Sequence, residues 1–178
     1  MELVTKANSL WDFYSKNPEK FEDRVNTIKK YRNYALAATC LVFIIFPGII
    51  PFSSLIIRIV AVLGLLYFGF SIFAGSAETF NKESGGLIKL KTLKKFDMSE
   101  CDEATLINAF NNRDFGALAD APEADNQPIQ LNIDEDKVGK ELYCVIMKYY
   151  SSSDYRSATD VIVLSGLDYS KWVNVFKA

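Results

Sequence analysis

Residues 34–75 read YALAATCLVFIIFPGIIPFSSLIIRIVAVLGLLYFGFSIFAG and contain a single charged residue, Arg58. A helix that spans a bilayer needs about 20 mostly apolar residues, so this stretch is long enough for two such helices. Pro47, Gly48 and Pro51 interrupt it near its middle, where proline cannot continue a helix. The stretch therefore predicts a helical membrane hairpin, and a buried pair of core helices in a water-soluble protein is the alternative.

The charges around this hairpin predict its orientation. The turn, residues 47–54, contains no Lys or Arg, and the second helix is predicted over residues 55–75. Basic residues flank both ends of the hairpin: Lys29, Lys30 and Arg32 before it, and Lys82, Lys89, Lys91, Lys94 and Lys95 after it. Because positive flanks mark the cytoplasmic side, we expect a multi-pass membrane protein with both termini in the cytoplasm. The first helix has few apolar residues before Pro47, so it either kinks there and continues or is re-entrant.

Arg58 stands out because a charge inside a membrane segment is costly and indicates function by default. It lies one turn from the outer end of the second helix, so its side chain can snorkel to the headgroups. The other interpretation is a ring of arginines in an oligomeric pore. The rest of its helix face is apolar, whereas a wet channel needs a polar stripe. Arg58 is therefore a pore or membrane-interface candidate, together with the flanking Lys29, Lys30 and Arg32.

The segment before the hairpin is predicted to be helical. Asn17-Pro18-Glu19 has the residue types of a helix start, and no residue that breaks helices follows before Pro47. One helix is therefore expected from Pro18 to about Phe46. Residues 3–14 are weakly amphipathic and form either an interfacial helix or a segment packed on the folded domain.

The chain after the hairpin is predicted to form one acidic domain. Residues 97–178 contain seven Lys or Arg against fifteen Asp or Glu, a net charge of −8. The predicted organisation is therefore an N-terminal arm and helix over 1–32, a transmembrane hairpin over 33–75 and an acidic cytoplasmic domain over 76–178. The fold class expected is a mainly α membrane protein whose cytoplasmic domain is predominantly helical, with an α+β domain as the alternative.

The elements of that domain are predicted from local patterns. A helix is expected after Asp102 and another from Asp134 to Tyr149, where apolar residues recur at helical spacing. Residues 87–96, LIKLKTLKKF, are either a short strand or a juxtamembrane segment lying on anionic lipid. Residues 155–164 and 169–176 are predicted as helices, with strands as the alternative.

The residue types exclude most catalytic chemistry. The chain contains no histidine, which removes Ser-His-Asp triads and histidine-ligated metals. Its three cysteines are scattered and indicate a reducing compartment. Asp134, Asp136 and Gly139 have the spacing of a calcium loop, but Val145 occupies the position that requires a bidentate glutamate. We therefore expect no enzyme, no catalytic residue, no cofactor and no metal.

Two short frames have part of a ribonuclease signature. Arg32 and Asn33 match the first two positions of R-N-x-x-x-H, the signature of HEPN ribonucleases, but Ala37 replaces the histidine. Arg156 begins a second frame that also lacks the histidine. Arg32, Asn33 and Arg156 are therefore degenerate HEPN-like positions. Because both frames lack the histidine, the sequence predicts no active ribonuclease.

The layout nevertheless resembles a known family. Two hydrophobic helices, YALAATCLVFIIF and LIIRIVAVLGLLYFGF, precede a domain of about a hundred residues. This plan is similar to that of the small membrane accessory proteins of type VI-B CRISPR systems, which contain a divergent HEPN-like domain. The resemblance implies a bacterial inner-membrane location. It also implies a homo-oligomeric pore in the lipid bilayer, functionally coupled to an RNA-guided CRISPR effector, that depolarises the membrane in antiphage defence.

A second hypothesis needs no pore. In it the protein is a membrane-anchored sensor or adaptor whose acidic cytoplasmic domain binds a protein or a small ligand. The net charge of −8 over residues 97–178 argues against direct binding of nucleic acid in either case, because phosphate would be repelled.

Overall fold

The computed structural model describes residues 3–49, 51–73, 77–151 and 154–176. The chain divides into two compact units. Met1–Glu22 and Thr79–Ala178 form one, called the α/β unit, and Asp23–Glu78 form the other, called the helical unit. The α/β unit is therefore built from both ends of the chain, and the helical unit is an insertion between them.

The α/β unit is organised around an antiparallel sheet. Its strands are β3 (Ile88–Lys95), β4 (Ile129–Asp136), β5 (Glu141–Ser151), β6 (Asp154–Ser157) and β7 (Ile162–Ser165). The order is β3-β4-β5-β6, and β7 also pairs with β5. Strand β5 is long enough to pair with β7 near its start and with β6 near its end, and it is therefore the central strand of the unit.

Both faces of this sheet are covered. Helices α4 (Glu103–Asn111), α5 (Phe115–Asp120) and α6 (Gly166–Trp172) pack on one face, where the core includes Phe110, Phe115, Leu131, Cys144 and Leu164. Helix α1 (Leu10–Lys16) packs on the other face, against Tyr143, Val145 and Met147. Successive side chains of a strand point to opposite faces, so the run of buried residues from Leu142 to Met147 serves both cores.

The helical unit consists of two helices joined by a short turn. Helix α2 covers Thr27–Ile45, a 3-10 turn covers Pro47–Ile49 and helix α3 covers Ser54–Phe73. The break at residues 47–54 lies where the proline residues predict it. Strands β1 (Phe21–Val25) and β2 (Ala77–Asn81) form a two-stranded sheet through which the chain enters and leaves this unit.

The predicted fold class, a mainly α membrane protein with a predominantly helical domain, is wrong. The chain is a mixed α/β protein, with 42% helix, 29% strand and two sheets over the residues that the structure describes. The helix predicted from Asp134 to Tyr149 is the β4–β5 hairpin, because Asp136 accepts hydrogen bonds from the backbone N–H groups of Val138 and Gly139 and closes a tight turn. The apolar residues that follow fit a helical spacing, but they also form the continuous run of a strand buried on both faces.

Other segments show the same competition between local pattern and tertiary packing. Residues 155–164, predicted as helix, contain most of β6 and most of β7, whereas α6, which ends at Trp172, overlaps the helix predicted over residues 169–176. Strand β3 covers Ile88–Lys95, which is the short strand expected as one of the two alternatives for residues 87–96. The helix expected after Asp102 is present as α4, and a second short helix, α5, follows it.

The single helix predicted from Pro18 to Phe46 is also wrong, because β1 lies inside that range. Asn17 ends α1 rather than starting the next helix: its buried side chain donates to the carbonyl of Phe13 at 2.8 Å and pairs with both backbone groups of Val4. Asn26 is the residue that caps α2, by accepting from the N–H of Lys29 at 3.1 Å. Residues 3–14 accordingly pack on the sheet through Leu10 and Phe13.

The predicted localisation, a multi-pass protein of the bacterial inner membrane with both termini in the cytoplasm, is contradicted as well. Among the described residues one helix, Ser54–Ile72, is long and apolar enough to cross a membrane, with a mean hydropathy of 2.3. Helix α2 has Lys29, Lys30 and Arg32 near its start, so its apolar part is too short to qualify. A mixed α/β fold with one such helix is not a multi-pass membrane protein.

Candidate functional site

The outstanding surface of the molecule is that of α3, which is apolar around its whole circumference. Its large side chains are mostly exposed, including Leu55, Leu63, Leu66 and Phe70 at 69%, 61%, 65% and 76%. Only 6% of its long apolar stretch is buried within the chain. A helix on the surface of a water-soluble protein has a polar face opposite its apolar one, and α3 has none.

Helix α2 covers one side of α3 through a close contact. A Cβ atom added at Gly64 would lie 2.8 Å from the Sγ atom of Cys40, so glycine is what lets the two helices approach. Two hydroxyl groups in this unit bond within their own helices: Thr39 donates to the carbonyl of Ala35 at 2.9 Å, and Ser71 donates to that of Tyr67 at 2.8 Å. Such back-bonding leaves few polar groups that would need water.

An apolar groove runs between the two helices. It has a volume of about 500 Å³ and is lined by Leu36, Thr39, Cys40, Phe43, Phe52, Ile56, Ile57, Val60, Ala61, Gly64 and Phe68. Its lining is almost wholly hydrocarbon, so the groove belongs to the same apolar surface as the rest of α3.

The end of the unit where α2 begins is polar and basic. Glu78 accepts from the side-chain amide of Asn26 at 2.6 Å and from the Lys29 ammonium at 3.3 Å. Lys30 and Arg32 are exposed, and neither forms an ion pair with any residue in the described part of the chain. Three of the four candidate interface residues, Lys29, Lys30 and Arg32, therefore lie together at one end of α2.

Arg58, the fourth candidate, is separated from them. It lies in the second turn of α3, near the end that follows the 3-10 turn, and its side chain is exposed. Ser71, near the other end of α3, is thirteen helical residues from Arg58, which corresponds to about 20 Å along the helix. Arg58 is separated from the basic end of the unit by about this length. The ring of arginines expected for a pore stays a prediction.

The degenerate HEPN positions lie in different units. Arg32 and Asn33 are in α2 of the helical unit, where Asn33 is buried. Arg156 is in strand β6 of the α/β unit, where its Nε atom bonds Asp154 at 3.0 Å and its guanidinium lies 4.7 Å from the centre of the Tyr150 ring. The structure therefore does not bring Arg156 together with Arg32 and Asn33 in one element.

Polar residues that the sequence did not single out form a network at the start of β5. One carboxylate oxygen of Glu141 accepts from Lys20 at 2.7 Å, and the other accepts from Asn81 at 3.1 Å and from the Tyr143 hydroxyl at 2.5 Å. Lys20 lies two residues before the chain leaves the α/β unit and Asn81 two residues after it returns. Glu141 therefore holds the outgoing and the returning segment together.

The acidic residues of β4 each have a structural partner. Asp136 is fully buried and also accepts from the Ser84 hydroxyl at 2.6 Å. Glu135 pairs with Lys91 at 3.1 Å, and Asp134 accepts from the Tyr14 hydroxyl at 2.9 Å. These carboxylates, which the sequence placed at a helix start, instead join the sheet to the segments around it.

Burial governs the titration of the groups in this network. It raises the pKa of the Asp134 carboxyl, and the hydrogen bond from Tyr14 opposes that shift. Burial also raises the pKa of the Cys144 thiol and of the Tyr143 hydroxyl well above their ordinary values. A buried thiol with a raised pKa stays protonated and is a poor nucleophile, so Cys144 acts as a core residue.

Among residues 3–49, 51–73, 77–151 and 154–176, no group of three or more Cys, Asp or Glu side chains is arranged to hold a metal ion. Comparisons with protein-family models, with curated proteins and with solved structures found no match. The likeness to the type VI-B accessory proteins therefore stays a prediction from layout.

Proposed function

We propose that this protein is a membrane-anchored adaptor: the helical unit holds the chain in a lipid bilayer, and the α/β unit binds a partner. The observation that supports the anchor is the apolar surface of α3. Each Å² of apolar surface removed from water contributes about 25 cal/mol, and this helix exposes large apolar side chains along its length. Lipid is the surrounding in which such a helix needs no polar face.

Lipid accounts for this surface better than a protein groove does. A helix that docks in a groove has apolar residues on one stripe, at i, i+3, i+4 and i+7. Exposed side chains of α3 also occupy consecutive positions, such as Ile59 with Val60 and Val62 with Leu63, and so point in several directions. A bilayer covers all of these directions at once.

The binding role of the α/β unit is supported by its surface. Trp11 and Tyr150 are 68% and 67% exposed, and aromatic residues of these types are enriched at protein interfaces. The carboxylates of β4 each have a partner in the fold, so they are accounted for structurally. A binding module therefore fits this unit better than an enzyme does.

The test is flotation of the full chain with phosphatidylcholine vesicles in a sucrose gradient, followed by extraction at alkaline pH. We expect the protein to rise with the vesicles and to resist extraction. Full recovery of folded monomer in the vesicle-free fraction without detergent would refute the anchor. Circular dichroism of each fraction, which reports the β-sheet of the α/β unit, separates that outcome from misfolding.

The pore of an antiphage defence system is the second candidate, and the exposed Arg58 is the observation that favours it. Vesicles with a potassium gradient and a potential-sensitive dye distinguish the two candidates. A pore collapses the potential, and Arg58→Ala changes the rate of collapse. An adaptor floats with the vesicles and leaves the potential intact.

A further inference from the structure

The charges of the helical unit are distributed unevenly along it. Residues 23–78 contain five cations and two acids, a net charge of +3. Three of the cations, Lys29, Lys30 and Arg32, lie within four residues near the start of α2. Arg58 is the sole charged residue of α3 and lies near the opposite end of the unit. One end of this unit is therefore strongly basic.

Two of these three cations are available to a ligand. Glu78 engages Lys29 at 3.3 Å. Lys30 and Arg32 are exposed, and the described residues provide no carboxylate partner for either. A guanidinium binds phosphate in a bidentate manner, and an ammonium binds it as a point charge.

Tyrosine residues alternate with these cations. Tyr31 and Tyr34 are 69% and 48% exposed, and tyrosine is enriched at the level of lipid headgroups. The apolar part of α2 follows directly, from Ala35 to Ile45. Lys30, Tyr31, Arg32 and Tyr34, which we name the basic collar, thus lie at the junction between a polar helix end and an apolar helix.

We propose that the basic collar binds the headgroups of anionic phospholipids, so that the anchor selects anionic over zwitterionic lipid. This inference rests on the proposed membrane anchor. The apolar segment next to the collar favours lipid over nucleic acid, which also offers phosphate but has no hydrocarbon to cover that segment. Each Lys or Arg near an anionic membrane surface raises the binding constant about fivefold.

The experiment measures which lipid the full chain prefers at its surface. The protein is reconstituted in phosphatidylcholine vesicles with a trace of spin-labelled phosphatidylglycerol or spin-labelled phosphatidylcholine. Electron paramagnetic resonance gives the fraction of each label immobilised by the protein. We expect a preference of about fivefold or more for the anionic label at low salt, and a smaller preference in 0.5 M salt because exposed charges are screened, with a Debye length of about 10 Å already at 0.1 M.

The variant Lys30→Gln with Arg32→Gln should bring this preference close to one. Its matched control is Lys137→Gln with Lys140→Gln, which removes the same charge from exposed positions in the β4–β5 turn of the α/β unit. We expect the control to keep the wild-type preference. Equal loss in both double variants would overturn the collar and assign the effect to net charge.

Two further outcomes are decisive. Immobilisation of both labels to the same extent overturns the basic collar and leaves the anchor in place, whereas no immobilised label of either kind counts against the anchor itself. An arm with single-stranded RNA of mixed sequence completes the test. Displacement of the anionic label by RNA at equal phosphate concentration would overturn lipid as the ligand.

Discussion

Strand β5 and helix α3 are both strongly apolar in sequence, yet the chain treats them in opposite ways. In β5 every residue from Leu142 to Met147 is buried, on two faces of one sheet. Helix α3 is longer, yet among its described residues Ala61 is the only one that is buried. Hydrophobicity therefore predicts that a segment will be covered, but it does not predict what covers it.

The difference follows from how many neighbours each element has. Strand β5 pairs with three strands and lies between helices on both faces, so each of its side chains has a layer to pack against. Helix α3 packs against α2 along one side and meets the 3-10 turn Pro47–Ile49 near its start. Most of its large apolar side chains are exposed, and the proposed function covers them with lipid.

Truncating one phenylalanine in each region should give the largest difference in the free energy of unfolding. Phe115 is fully buried, with its ring centroid 5.7 Å from those of Phe110 and Trp172, so Phe115→Ala should lower the free energy of unfolding by about 3–5 kcal/mol. Phe70→Ala, at a 76% exposed position, should change it by less than about 0.5 kcal/mol. Urea unfolding in mild detergent, followed by circular dichroism, measures both. Similar losses would mean that α3 is buried in the folded chain after all.

Replacing an exposed leucine by a charged residue should weaken membrane binding when the leucine is in α3, and should have no effect when it is in the α/β unit. Leu63→Arg should weaken insertion in a bilayer by about 2.5–3.5 kcal/mol, because it places a charge deep in an apolar helix. Leu167 is 90% exposed on the α/β unit, and Leu167→Arg should leave vesicle flotation unchanged. If both variants floated as well as the wild type, the lipid contact assigned to α3 would be refuted.

A methyl group added to a glycine should sharpen the contrast in packing. An added Cβ at Gly86 would overlap the carboxylate of Asp136, which is held by three hydrogen bonds, so Gly86→Ala should cost about 1–3 kcal/mol. At Gly69 in α3 the same atom meets nothing within 4 Å, so Gly69→Ala should be neutral or stabilise the helix by up to about 1 kcal/mol. Thermal unfolding of both variants checks the pair, and equal effects would contradict it.

The smallest expected effect is a pH dependence confined to the α/β unit. Burial raises the pKa of Asp134 in the folded state above its ordinary value of 3.8, so the native state binds this proton more tightly than the unfolded state does. The stability gained from protonation is complete below the ordinary pKa and is lost as the pH rises through the raised one.

Asp134→Asn stays neutral at every pH and keeps an oxygen that accepts from Tyr14. It should therefore be more stable than the wild type at pH 7, by a margin that shrinks towards pH 4. Urea unfolding across this range measures the margin, with Asp125→Asn in an exposed loop as the control. A margin that grew on acidification would show that the sign assigned to Asp134 is wrong.

Local sequence predicted several features of this protein because local chemistry is sufficient for them. The apolar run of α3 and the proline-containing turn at residues 47–54 follow from composition and from proline. The clustering of Lys29, Lys30 and Arg32 next to an apolar helix was also visible. The likeness to a HEPN domain had no such support, since the histidine is missing.

Only the tertiary structure decided between helix and strand in the α/β unit. Residues 134–149 fit both periods, and the pairing of β5 with β4, β6 and β7 selects the strand because it gives every residue of the buried run a partner layer. The choice of Asn26 over Asn17 as a helix cap has the same origin, since the Asn17 amide is already bound to Val4 and Phe13. Glu141 bonds Asn81 and Lys20, which are 60 and 121 positions away in the chain. No local pattern can indicate contacts over such separations. Sequence thus determined where the apolar surface lies, and the fold determined which part of it the chain could bury.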